Sequence, residues 1–128
     1  MALPKLKFWW EWRSTSPFWP ADQVALEKFG YGEIDAERLD LPSDVVEQLR
    51  VTADWHDHSL NWDHPPDPGS WRQEECDRFN AASKKLFECC RQFLEGRAEI
   101  LYAHKDEVED PDLDVYLANP KSFKRMNS

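Results

Sequence analysis

An α+β fold is predicted, mostly helical, with two main antiparallel helices packed on a small antiparallel sheet. Three observations carry it. Residues 71–95 hold no Pro and no Gly, and Phe79, Ala82, Leu86, Cys90, Phe93 and Leu94 recur at steps that make one apolar stripe. A second stripe, Val46, Leu49, Ala53, His56 and Leu60, precedes it. Finally, KLKFWWEWR at 5–13 and the segment 98–103 alternate with the period of two that belongs to strands.

In chain order, the opening strand points Leu6, Phe8, Trp10 and Trp12 one way and Lys5, Lys7, Trp9, Glu11 and Arg13 the other. Trp9 is the odd member of the polar row. Ser14 to Pro17 breaks the strand, and Pro17 and Pro20 hold Phe18 and Trp19 extended between them. That pair reads as plugs over a core edge. A short helix is expected over 21–29, with Asp22 as its cap and Gly30 and Gly32 behind it. Ile34, Leu39 and Leu41 anchor an irregular stretch.

The first main helix starts after Pro42 with Ser43 as N-cap and ends near Asn61. DHPPDPG at 63–69 is a rigid turn between antiparallel helices. Ser70 and Gln73 have the form of a capping box for the long helix, and Gly96 stops it. Residues 98–103 then give a second strand, with Ala98, Ile100 and Tyr102 on one face and the first strand as partner. Val115 and Leu117 suggest a third strand. The basic end, 120–128, should fray. The expected core is Phe8, Trp10, Trp12, Val46, Leu49, Phe79, Leu86, Cys90, Phe93, Ile100 and Tyr102.

Length and composition fit one domain: 128 residues, 41% hydrophobic and 32% charged, with seven Trp and seven Phe. The net charge is −9, which argues against nucleic acid as a direct ligand and favours a basic partner, or solubility alone. No signal peptide and no membrane-spanning run is read. Cys76, Cys89 and Cys90 cannot pair with one another within a helix, and unpaired thiols fit a reducing cytoplasm.

Three groups of residues are candidate sites. His56, Asp57, His58, Asp63, His64 and Asp67, with Cys76 near, carry metal-ligating groups. The spacing is poor, because His56 and His58 diverge on a helix and no H-E-x-x-H or C-x-x-C is present. No metal and no cofactor are expected. The cysteines lack any local signature of a nucleophile. The third candidate is the acidic run Asp106, Glu107, Glu109, Asp110, Asp112 and Asp114 around Pro111. It reads either as a solvated loop or as a surface that docks a basic partner. Together with an outward Trp9 it forms the expected partner-binding set.

The order of segments resembles a known group. A Trp-rich strand ends in SPFW; LDLPSDVVEQL and DHSLNWDHPPDPGSW follow; a long helix closes on LEG before AEILY. Over about residues 5–103 this is similar to small acidic bacterial immunity proteins of polymorphic and contact-dependent toxin systems. The resemblance implies a cytoplasmic, non-enzymatic protein that binds one cognate toxin domain and blocks it. The negative charge suits a basic nuclease toxin. A metal-dependent or thiol enzyme, or a cytoplasmic adaptor, is the alternative.

Overall fold

The computed structural model describes residues 2–125 and is α+β. Strand β1, Lys5–Phe8, lies in the middle of a three-stranded sheet. Its face alternates as predicted: Leu6 and Phe8 are fully buried while Lys5 and Lys7 are exposed. The strand is shorter than expected, because the backbone leaves the sheet at Trp9.

Phe18–Pro20 forms β2, antiparallel to β1, with Phe8 opposite Phe18 and Lys7 opposite Trp19. The two prolines kept the segment extended, and an edge strand tolerates Pro. Here the plug reading falls short, since Phe18 is a sheet residue at the centre of the core. Helix α1, Gln23–Phe29, follows with Asp22 as its side-chain cap to the Ala25 N–H, as predicted. Ile34, Leu39 and Leu41 are buried anchors.

The two main helices are α2, Ser43–Asp57, and α3, Gln73–Leu94. In α2 the cap position is Pro42, not Ser43, and the buried face is Val45, Leu49, Thr52, Ala53 and His56. The helix stops at Asp57, ahead of Asn61. Gly69 lies in the turn between the helices because a Cβ there would strike the Ser59 carbonyl oxygen.

Helix α3 buries Cys76, Phe79, Ser83, Leu86, Cys90 and Leu94. Phe93 is 45% exposed and leaves the predicted core. Cys90 and Leu94 both turn inward, and Phe93, about 100° around the helix from Leu94, is rotated toward solvent. The Ser70 capping box does not form. Instead the Gln73 N–H donates to Glu109 Oε1 at 3.0 Å and the Glu109 N–H donates to Gln73 Oε1 at 3.0 Å. This is the reciprocal geometry of a capping box, supplied from a distant segment. Gly96, at φ +81°, turns the chain after α3 as expected.

Strand β3, Glu99–Tyr102, pairs with β1 in parallel, Leu6 opposite Ile100 and Phe8 opposite Tyr102. The predicted partner is right and the direction is not: the sheet is mixed, not antiparallel. Period two fixes which side chains point inward and is silent on strand direction. Ile100 is buried and Tyr102 half-buried, as the alternation required.

Val115 and Leu117, expected to give a third strand, lie instead in helix α4, Leu113–Ala118, which buries Leu113. Fraying was expected of the basic end, residues 120–128. Pro120–Ser122 is a 3-10 turn, and Arg125 binds Asp110 and Asp112. Residues 126–128 of that prediction lie outside the described residues.

Candidate functional site

Beyond β1 the chain carries Trp9, Trp10 and Trp12 over the end of the core. Trp10 points inward, 3% exposed, and its indole N–H donates to Ser83 Oγ at 2.8 Å. Ser83 is paired in turn with the Tyr102 hydroxyl at 2.8 Å. This chain of donors satisfies polar atoms that burial would otherwise penalise. Trp9 points outward from the sheet, edge-on to Trp19, whose indole N–H donates to the Trp9 carbonyl at 3.1 Å.

Trp12 corrects the predicted core: it is 39% exposed. One face of its ring stacks on His56, with centroids 5.5 Å apart, and its N–H donates to Ser59 Oγ. Arg13, next in sequence, takes the left-handed conformation at φ 70°, and its N–H donates to Asp57 Oδ1. The strand alternation ends here because the backbone turns.

Beneath the tryptophans lie His56, His104 and Glu107. His56 is buried on α2; His104 follows β3; Glu107 is three residues further. The Trp10 backbone N–H donates to His104 Nδ1 at 3.1 Å. That nitrogen is therefore the acceptor, which places the proton on Nε2, and Nε2 donates to Glu107 Oε2 at 2.7 Å. His56 Nε2 lies 3.6 Å from the same oxygen, while His56 Nδ1 is buried with no hydrogen-bond partner among the described residues. Burial pushes the Glu107 carboxyl up, but the hydrogen bonds from His104 and His56 outweigh it and hold the group down at about 2.

The ligating atoms of these three residues lie within 4.8 Å of one another. The tautomer argues against a metal there. A ligating imidazole donates its second N–H to an acceptor, whereas His104 uses its second nitrogen to accept. A metal on Nε2 would need that proton removed and the Trp10 bond kept. The histidine cluster read from sequence disperses: His58 faces the Asp54 carbonyl, His64 pairs with Asp67 at 3.2 Å, and only His56 reaches the new cluster. Thiol chemistry fares no better. Burial raises the Cys76 thiol, and burial with the neighbouring Cys89 pushes Cys90 up to about 12.

Trp9, Trp12, Ala103, His104 and Glu107 line an open cleft of about 390 Å³, with Glu11 and Lys105 beside them. Glu107 thus belongs to this cleft. The other acids of the run face elsewhere, each with an internal partner. Asp106 binds Lys84 at 3.0 Å, Glu109 caps α3, and Asp114 binds Arg72 at 2.8 Å. Asp110 and Asp112 bind Arg125 at 2.7 and 3.0 Å, and the guanidinium holds the Asp110 carboxyl below its ordinary range. Trp12 and His104 are the residues sequence reading missed. The signal for His104 was its i,i+3 spacing from Glu107 just past a strand; for Trp12 there was none, since alternation assigned it inward.

A family model described as Serratia CdiI immunity protein-like matches residues 4–105. The matched span holds Trp9, Trp12, His56 and His104 and ends before the acidic run. No curated protein matches the chain.

Proposed function

The chain belongs to the Serratia CdiI immunity protein-like family, and from that premise we propose that it binds one cognate toxin domain and blocks it without catalysing a reaction. The match over 4–105 carries this reading. We further read the toxin as a basic nuclease and the site of action as the cytoplasm. A net charge of −9 supports a basic partner, since long-range attraction raises the encounter rate. No helix among the described residues is long and apolar enough to cross a membrane.

Of the residues expected to meet the partner, Trp9 is the anchor: it is large, exposed and its ring rests against that of Trp19 before binding. Asp106 and Asp114, the most exposed acids of the run, add attraction at distance. Glu109, Asp110 and Asp112 serve the fold first. Co-expression with the toxin domain encoded in the neighbouring reading frame tests this. Growth should be restored, and surface-plasmon kinetics should show tight binding whose association rate falls with salt. Absence of both protection and binding would overturn the reading.

A further inference from the structure

We infer that the cleft between Trp9 and Trp12 receives an arginine side chain of the toxin, its guanidinium against the indoles and directed to Glu107. The inference rests on the proposed function and specifies its contact. Three features of the cleft point to this occupant.

The first is its walls. Trp9 is 38% and Trp12 39% exposed, so each leaves part of a ring open to a ligand. Each ring is also braced, Trp9 edge-on against the Trp19 ring with centroids 5.7 Å apart and Trp12 by its indole N–H donating to Ser59 Oγ. Walls fixed before binding cost little side-chain entropy on docking. Indole attracts cations more strongly than the other aromatic rings do.

The second is the carboxylate. Glu107 Oε2 is taken by His104, and Oε1 makes no hydrogen bond among the described residues. The backbone of Glu107 is fixed from both sides, its N–H donating to Asn80 Oδ1 at 2.8 Å and its carbonyl accepting from Asn80 Nδ2 at 2.9 Å. A carboxylate so placed is poised for a donor and does not move to meet it. Glu11 adds a second negative group at the lining.

The third is the balance of charge. Facing these carboxylates are Lys105 on the lining, and His104 and His56 beneath. His104 is the neutral tautomer fixed by the Trp10 N–H. Lys105 is exposed at the end of a flexible stem, free to swing into water. Arginine fits better than lysine here. Its planar guanidinium stacks on indole, sheds water more readily, and presents several donors to one carboxylate.

The test is surface-plasmon kinetics of the full chain against the toxin domain encoded next to it, with arginine-to-alanine variants of that domain. Trp9→Ala should weaken binding about 10- to 100-fold, mostly through faster dissociation. Because Trp9 is on the outer face, its melting temperature should match that of the parent chain. Glu11→Gln, on the same lining, should weaken binding several-fold. One toxin arginine should lose most of its effect when Trp9 is already alanine, as coupled partners do. Unchanged affinity in folded Trp9→Ala and Glu11→Gln would overturn the cleft assignment and leave the family reading standing. So would additivity of Trp9→Ala with every toxin arginine. Absence of binding by the parent chain would instead overturn the proposed function itself.

Discussion

The acidic run and the tryptophan segment were both expected on the partner-facing surface, and the fold uses them in opposite ways. Between Asp106 and Asp114 each carboxylate faces a cation, a histidine or a helix terminus of the same chain. Between Trp9 and Trp12 only Trp10 is absorbed into the core, and its two neighbours remain open. Charge density in a sequence thus measures potential partners, not free ones. An indole is harder to satisfy internally, because burying it takes a large apolar surface and one placed acceptor. What is left exposed after the core is full carries more information than what is merely numerous.

Phe79 links the two regions and should give the largest effect. Its ring packs on Trp10 and His56 and stacks on His104. Phe79→Ala should cost about 3–5 kcal/mol in urea unfolding, loosening the tryptophan segment and the run together. A loss under about 1 kcal/mol would break the picture of a shared hub.

Next comes Glu107, the one acid of the run that also lines the cleft. Glu107→Gln should cost about 1–3 kcal/mol, since a buried ionic hydrogen bond is weakened. The pH dependence sharpens the assignment. The folded carboxyl titrates at about 2 against an ordinary 4.5, so the unfolded chain takes up its proton first as pH falls. This stabilisation is complete above pH 4.5 or so and is lost as pH drops toward 2. Denaturant midpoints across that window should fall in the parent chain and flatten in Glu107→Gln. Equal slopes would remove Glu107 from the buried cluster.

Arg125→Ala separates the rest of the run from the cleft. The Arg125 side chain is 35% exposed and solvent screens its charge, so the loss should be about 0.2–1 kcal/mol. Hydrogen exchange should quicken in α4, while dissociation from the toxin stays unchanged. A faster off-rate would move the docking surface onto the run. The smallest effect is expected at Phe93, which lies outside the core: Phe93→Ala should stay within about 0.5 kcal/mol by the same unfolding. A loss comparable to Phe79→Ala would contradict its exposure.

Several features of this chain were decided by the sequence alone. Asp22 capped its helix, Gly96 ended α3, and Ile34, Leu39 and Leu41 anchored the irregular stretch, because each depends on local geometry or on apolarity alone. The stripe of α3 was legible at Phe79, Leu86 and Cys90, and the inward row of β3 at Ile100. The resemblance to immunity proteins was likewise carried by the order of short segments.

Tertiary structure decided the remainder. Strand direction depends on how the chain returns, so alternation at Glu99–Tyr102 left parallel and antiparallel pairing open. Val115 and Leu117 read as strand because two apolar residues at spacing two say nothing of a helix anchored by Leu113. Trp12 sits outside because the backbone turns at Arg13, and no periodicity survives a turn. The α3 cap came from Glu109, thirty-six residues beyond Gln73, where no local motif reaches. The cleft itself draws on β1's end, α2 and the segment after β3. Such a site exists only once three stretches distant in sequence are brought together, and the packing of Phe79 against them is what does so.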